Sequence, residues 1–143
     1  MARKQPKRNA RPGVDAYGRT PLHYAALEGN PAQARDLLAS GESPNAADDD
    51  GWTPLHCAAQ ANSKEVVELL VTAWAAVDPL DSHGNTPLAI AVFNSRGNGE
   101  IIKLLRAAGA NPHTENAHGI SPLKLARTIA NFDVRQFFDD LTD

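Results

Sequence analysis

The sequence predicts an all-α repeat solenoid of four helix-turn-helix units joined by β-hairpin-like turns. A ten-residue motif recurs at spacings of 33, 33 and 35 residues, as YGRTPLHYAA from Tyr17, DGWTPLHCAA from Asp50, HGNTPLAIAV from His83 and HGISPLKLAR from His118. An apolar pattern with helical spacing follows each motif, as AQARDLL, KEVVELLV, EIIKLLR and FDVRQFF. Because neither helix of such a unit can bury its apolar stripe alone, stacking of neighbouring units must form the core.

The motif explains how the first helix of each unit begins. Thr53 is a suitable N-cap, because its hydroxyl can accept a hydrogen bond from an amide of the first turn. Pro54 suits the first helical position, where a missing N–H costs nothing. Leu55, Ala58 and Ala59 fall on one face, and the small alanines permit close contact between helices. A glycine, for which positive φ is easiest, stands in the turn before each helix; these are Gly18, Gly51, Gly84 and Gly119.

The T-P-L-H-x-A motif at a period of 33 residues resembles the ankyrin repeat. The resemblance covers one domain over residues 15–141, with units at about 15–47, 48–80, 81–115 and 116–141. It implies that His23 and His56 form local hydrogen bonds around the turn. Ala89 and Lys124 replace this histidine in the third and fourth units, so the bond is absent there. On this interpretation the recurring residues build the scaffold.

Two departures from the repeat stand out. Units one and three end their second helix with Gly41 and Gly109, whereas unit two has Trp74, which would be strained in a left-handed conformation. The turn is therefore rearranged, or contacts hold Trp74. The segment SRGNG predicts an enlarged loop in unit three that is mobile or reserved for a partner. The polar residues Gln33 and Arg35 in unit one, and the acids of FFDDLTD, indicate that both ends are capped, which favours a monomer.

Composition favours a soluble protein of a reducing, cytoplasmic compartment. The chain has 143 residues, 42% of them hydrophobic, and no apolar run approaches the length of a membrane span. Cys57 is the single cysteine, so no internal disulfide can form. The basic start of the chain lacks the apolar core of a secretory signal.

The charge of the chain is unevenly divided. Residues 1–14 carry five cations and no acid, whereas residues 15–143 carry nine cations and all 17 acids. A basic terminus that contains Pro and Arg and scarcely any apolar residue is expected to be disordered and solvating. The alternative is a functional tail that binds nucleic acid, an acidic surface or an import receptor. No aromatic residue interleaves these charges, and the acidic body would repel phosphate, so nucleic acid is disfavoured.

Metal and catalytic chemistry find little support in the sequence. His113, Glu115 and His118 lie close together, but in a predicted turn and without the spacing of a zinc site. His56 and Cys57 are adjacent on a predicted helix, where neighbouring side chains point apart. We therefore expect a packed thiol, no enzyme activity, no cofactor and no metal.

The variable residues are predicted to bind a partner. The resemblance implies that partners contact the hairpin tips and the exposed face of the first helices, which line a concave groove. The corresponding residues here are Tyr17, Arg19, Glu28, Asp49, Asp50, Trp52, Gln60, Ser82, His83, Asn85, Phe93, Asn94 and His118. Aromatic residues dominate interface energetics. An alternative for Trp52 is that it lies flat across the neighbouring hairpin.

The predicted function is non-catalytic protein binding. The acids Asp48, Asp49 and Asp50 indicate a partner with a basic patch, in a 1:1 complex. Small stand-alone ankyrin proteins resemble bacterial immunity proteins, so the resemblance implies that the partner is a cognate toxin. The alternative is a regulatory adaptor or effector that uses the basic tail on nucleic acid or membrane.

Overall fold

The computed structural model describes residues 12–129 and 131–141. Residues 1–11, which make up most of the predicted disordered tail, lie outside the described residues. Seven α-helices and one 3-10 helix occur in the described part of the chain. They are α1 Pro21–Leu27, α2 Pro31–Ala39, α3 Pro54–Gln60, α4 Lys64–Thr72, α5 Pro87–Asn94, α6 Glu100–Ala107, α7 Pro122–Thr128 and the 3-10 helix Arg135–Phe138.

The helices form two layers. The inner helices α1, α3, α5 and α7 contact one another in chain order, and the outer helices α2, α4 and α6 do the same on the other side. Their shared interface buries Leu22, Leu55, Leu88, Val67 and Ile102 completely. The predicted all-α repeat solenoid is confirmed. We call the side formed by the inner helices and the turns before them the concave side, as the resemblance implies.

The predicted start signals are found at three of the four inner helices, but not at Thr53, where the cap was expected: no cap hydrogen bond to its hydroxyl is formed, and this oxygen lies 3.1 Å from Nδ1 of His56. The hydroxyls of Thr20, Thr86 and Ser121 accept hydrogen bonds from the amides three residues later, and a proline follows each of them at the first helical position. Gly51 has a φ of +78°, and a Cβ there would lie 3.0 Å from the Cα of Asp81. Only glycine fits that turn without strain.

The last repeat differs from the prediction. The pattern FDVRQFF was expected to form a longer second helix, but the structure has only the 3-10 helix Arg135–Phe138. Arg106 Nη1 donates to the carbonyl oxygen of Phe137 at 2.8 Å, an oxygen that would otherwise bond within a continuing helix. The same guanidinium forms two bonds of 2.7 Å with the carboxylate of Asp140. The last segment is thus held by hydrogen bonds to Arg106 of the preceding repeat, where a regular second helix was expected.

The enlarged loop of unit three spans residues 95–99 and contacts the end of the same chain. A Cβ on Gly97 would lie 3.3 Å from the ring of Phe132, and one on Gly99 would lie 2.2 Å from Phe137. The glycines therefore make room for two aromatic rings. From the sequence we expected this loop to be mobile or to bind a partner, and a contact with the last segment of the same chain was not expected.

Trp74 keeps the turn that glycine forms in the neighbouring units. Its φ is +64°, beside +95° at Gly41 and +97° at Gly109. The side chain is 89% exposed, so contacts within the described chain do not hold it. Both expectations for Trp74 were wrong. The turn keeps its geometry, and the residue adopts the left-handed conformation although its exposed side chain does not compensate for the strain.

The outer helix of the first unit is more polar than that of the second. Gln33 on α2 is exposed, whereas Val66 at the matching position of α4 is completely buried. This confirms the polar outer face expected of the first unit.

In the described part of the chain, no helix is both long enough and apolar enough to cross a bilayer.

Candidate protein-binding surface

The hairpin turns form a continuous ribbon along the concave side, which we call the tip ribbon (residues 15–19, 48–52, 81–85 and 116–120). The amide of Asp49 donates to the carbonyl of Tyr17 at 2.9 Å, and the amide of Ser82 donates to that of Asp50 at 2.8 Å. The amide of Ala117 donates to the carbonyl of His83 at 2.9 Å. These backbone bonds hold the tips at fixed spacing.

Each hairpin is closed by a carboxylate or amide side chain that our sequence analysis missed. Asp48 Oδ1 accepts from the amides of Asp50 and Trp52, both at 2.9 Å. Asp15, Asp81 and Asn116 accept in the same pattern in the other hairpins. Their recurrence at the repeat period was the signal that could have revealed them.

This closure corrects the predicted acidic cluster. Asp48 is buried and binds the backbone, and its Oδ2 lies 3.4 Å from Nε of Arg19. Asp49 and Asp50 are exposed, as expected. The exposed acids of the second tip are therefore Asp49 and Asp50, whereas the carboxylate of Asp48 folds the turn.

Trp52 lies across two hairpins. Its Nε1 donates to Oδ2 of Asp81 at 3.1 Å, and its ring stacks on the imidazole of His56 with centroids 5.7 Å apart. The indole therefore contacts the neighbouring hairpin, as in the alternative considered for Trp52. The ring remains only partly buried, so it is both a structural contact and a rigid surface element.

An aromatic cluster surrounds Arg19 at the first tip. The guanidinium lies 5.7 Å from the ring centroid of Tyr17 and 5.8 Å from that of Tyr24. The Tyr24 hydroxyl donates to Asp15, which lowers the pKa of this carboxyl and raises the pKa of the phenol. Tyr17 is 53% exposed. The cluster orders an aromatic face that remains open to solvent.

A groove of about 410 Å³ joins the second and third tips. Arg19, Leu27, Asp48, Asp50, Trp52, Asp81, Ser82, His83, Asn85 and Ile90 line it. Six of the thirteen predicted contact residues are among these. The structure therefore brings the residues of the central tips together around one concavity, with apolar side walls from α1 and α5.

The remaining predicted residues lie around this groove. Asn94 Nδ2 donates to Oε1 of Gln60 at 3.0 Å, so these two link the ends of α5 and α3. Glu28 and His118 are exposed at opposite ends of the concave side. Phe93 is 73% exposed and lines a separate cavity of about 240 Å³.

That second cavity contains residues not expected from the sequence. Ile129 and Phe132 line it beside Phe93 and Arg96. Phe132 was assigned to the outer helix pattern of the last repeat. Its position beside Phe93 depends on the irregular path of residues 131–141, which periodicity does not predict.

The side chains considered for catalysis are enclosed. Cys57 is 1% exposed, and burial raises the pKa of its thiol to about 12, so it is neutral at physiological pH. Burial also lowers the pKa of His56, whose two ring nitrogens both have partners. In the region of His113 and His118, Glu115 pairs with Lys124 at 3.4 Å. Over the described residues, no three potential ligand side chains converge on a metal position.

A family model for ankyrin repeats in three copies matches residues 22–116, which is more than half of the chain. The protein therefore belongs to the ankyrin-repeat family. No individual curated protein matches the sequence. Ankyrin repeats generally mediate protein–protein interaction and are generally not catalytic, which agrees with the enclosed state of His56 and Cys57.

Proposed function

We propose that this protein is a non-catalytic binding module that recognises a protein partner through the tip ribbon and the adjoining face of α1, α3 and α5. The observation that carries the proposal is the groove between the second and third tips, where Trp52, Asp50 and His83 surround one concavity. Tryptophan is enriched at binding hot spots, and charged side chains contribute to specificity.

Pre-organisation supports the proposal. Trp52 is held by Asp81 and His56, and Arg19 is held by Asp48 and two tyrosine rings. Side chains that are already ordered lose little conformational entropy on binding, so more of the contact energy contributes to affinity. The tip ribbon is therefore suited to a preformed surface on the partner.

Charge defines the partner's chemistry. Asp49 and Asp50 lie exposed on the second tip, and Glu28 lies exposed at the end of α1. A basic patch on the partner would complement them, which increases the association rate and disfavours acidic competitors. We expect a 1:1 complex, since one partner would cover the groove at the central tips.

Neutralisation of a cognate toxin is a narrower form of this proposal. A toxin with a basic active-site cleft, such as one that acts on nucleic acid, would present the complementary charge. Co-expression with the toxin tests it. Survival of the cells that depends on Asp50 would support inhibition through the groove, and survival with Asp50→Lys would contradict it.

The adaptor alternative uses the basic residues of the segment before residue 15 on nucleic acid or membrane. It predicts that Gln substitutions of Arg3, Lys4, Lys7, Arg8 and Arg11 abolish activity. The groove proposal predicts that partner recognition persists in that variant. The same five substitutions therefore separate the two functions.

The direct test compares two faces of the molecule. Tyr17→Ala with Asp50→Lys alters the tip ribbon, and Glu65→Lys alters an exposed position on the outer helix α4. We expect the first variant to lose at least tenfold in affinity for the partner, about 1.4 kcal/mol, and Glu65→Lys to bind normally. Circular dichroism verifies that both variants fold. Normal binding by the tip variant would exclude this surface.

A further inference from the structure

Net negative charge is concentrated in the first 50 residues of the described chain. Residues 12–61 carry seven acids and two cations, whereas residues 62–141 carry nine acids and seven cations. The preceding residues 1–11 carry five cations and no acid. The most basic segment of the protein is thus joined directly to the more acidic part of the described chain.

The chain enters the described structure beside a groove. A concavity of about 550 Å³ is lined by Gly13, Val14, Asp15, Arg19, Pro21, Tyr24, Glu28 and Gln33. Its walls combine apolar surface from Val14, Pro21 and Tyr24 with the exposed carboxylate of Glu28. The other two charged groups of the wall already have partners, since Asp15 accepts from its own hairpin and from Tyr24, and Arg19 pairs with Asp48. Because residues 13 and 14 form part of the wall, the segment before them begins at the groove itself.

We propose that residues 1–11 occupy this groove and the adjoining acidic surface of the second tip in the free protein, where they compete with the basic patch of the partner. The intramolecular contact stands on charge and connectivity alone, and the competition rests on the proposed function. The segment therefore acts as a tethered substitute for the partner.

Reach is sufficient for this contact. Eleven extended residues span up to about 36–40 Å. The first and second tips are neighbours, joined by the bond of 2.9 Å between Asp49 and Tyr17. A segment leaving at residue 12 can therefore pass Glu28 and reach Asp50, which is exposed on the second tip.

The tether makes a weak contact effective. Individual exposed ion pairs contribute little, but the short covalent connection holds the segment at an effective concentration on the order of millimolar. Five cations act together against a surface with an excess of acids. Such a contact exchanges rapidly, weakens as salt screens the charges, and yields to a folded partner that also contacts Trp52.

A spin label tests the contact without any partner. Ala2→Cys supplies the attachment site, since the native Cys57 is buried and holds its proton. Paramagnetic broadening of backbone amide NMR signals then reports proximity. We expect strong broadening at Glu28 and Asp50 and little at Thr128, at the far end of the concave side.

The matched control carries the same label and Gln at positions 3, 4, 7, 8 and 11. We expect broadening at Glu28 and Asp50 to fall several-fold in this control, and likewise in 0.5–1 M NaCl, where the screening length approaches about 3 Å. Broadening that is absent, evenly spread or unchanged by neutralisation would overturn the proposal. A segment that binds nucleic acid or anionic vesicles, but not its own groove, would produce one of those results.

A second measurement tests the competition. The neutralised variant is expected to bind the partner several-fold more tightly than the natural sequence at low salt, with the difference disappearing at high salt. Equal or weaker binding would contradict the competitive role. Because the spin-label experiment contains no partner, its failure leaves the groove function intact, and loss of the groove function leaves the label result intact.

Discussion

His56 Nε2 donates a hydrogen bond of 2.9 Å to the carbonyl oxygen of Asn85 in the next repeat. Its Nδ1 accepts from the amide of Thr53 at 3.1 Å. His23 bonds in the same way to Thr20 at 3.0 Å and to Trp52 at 2.7 Å. The histidine of the motif therefore closes its own turn, as the family resemblance implied, and also joins that turn to the following hairpin.

We expect His56→Ala to lower the free energy of unfolding by about 2–4 kcal/mol, because it leaves the Thr53 amide and the Asn85 carbonyl without their partner and opens a cavity. Urea denaturation followed by circular dichroism measures the change. His83→Ala, an exposed control, should change stability by less than about 0.5 kcal/mol. Equal effects of the two substitutions would contradict the bridging role.

Stability should decrease on mild acidification. Burial lowers the pKa of His56 in the folded state, whereas the unfolded residue titrates near 6.5. Between the lowered pKa of folded His56 and about pH 6.5, the unfolded chain therefore binds more protons than the folded chain. The stability that neutral His56 contributes is fully present above about pH 6.5 and is lost as the pH falls towards the folded pKa. The slope is at most about 1.4 kcal/mol per pH unit.

Chemical denaturation between pH 7.5 and 5 checks this dependence. His56→Gln should have a smaller slope of unfolding free energy against pH, whatever its absolute stability. The pKa values of Asp15 and Asp140 are lowered from the ordinary carboxyl value of about 4, so these groups affect stability below this window and do not account for a change within it. An unchanged slope in His56→Gln would refute the assignment.

Trp74→Gly should stabilise the protein by about 0.5–1 kcal/mol. A left-handed conformation costs a residue with a Cβ about 1–2 kcal/mol, and this gain is partly offset by the greater freedom of glycine in the unfolded chain. The exposed indole has little packing to lose. Gly41→Ala, at the matching turn with open space around it, should destabilise. Thermal unfolding distinguishes the two directions, and a less stable Trp74→Gly would show that the indole has stabilising contacts.

Gly99→Ala should destabilise the last repeat by about 1–3 kcal/mol, because the added Cβ would overlap the ring of Phe137. The φ of −91° at Gly99 is accessible to alanine, so the effect is steric. A double-mutant cycle with Phe137→Ala should give a coupling energy of at least about 0.5 kcal/mol. Additive effects would mean that the loop and the last segment are independent.

Cys57 should react with thiol reagents only through unfolding. Its raised pKa leaves almost no thiolate at pH 8, and the surrounding core blocks access. The labelling rate should therefore rise with urea in parallel with the unfolded fraction. A labelling rate in native buffer comparable to that of an exposed cysteine, such as one introduced by Ser82→Cys, would exclude this description.

Local interactions explain the part of the fold that was predictable. Thr, Pro, Gly and His at fixed positions cap one helix or close one turn, and these interactions involve residues within a few positions of one another. The apolar periodicity then identifies the buried face of each helix, and from these faces the two helical layers could be predicted. The same reasoning placed Tyr17, Asp50 and His83 on the tips, where the structure has them exposed.

Contacts between distant residues explain what was missed. Asp48 looked like surface charge, although its carboxylate folds the hairpin and pairs with Arg19, 29 positions away. Phe137 looked like part of a regular helix, although it fills the space above Gly99 and its carbonyl binds Arg106. The amino-acid sequence was sufficient for the repeat architecture because that depends on short-range geometry. Which carboxylates and rings remain available to a partner became clear from the folded chain, because each depends on a neighbour that comes close only when the repeats stack.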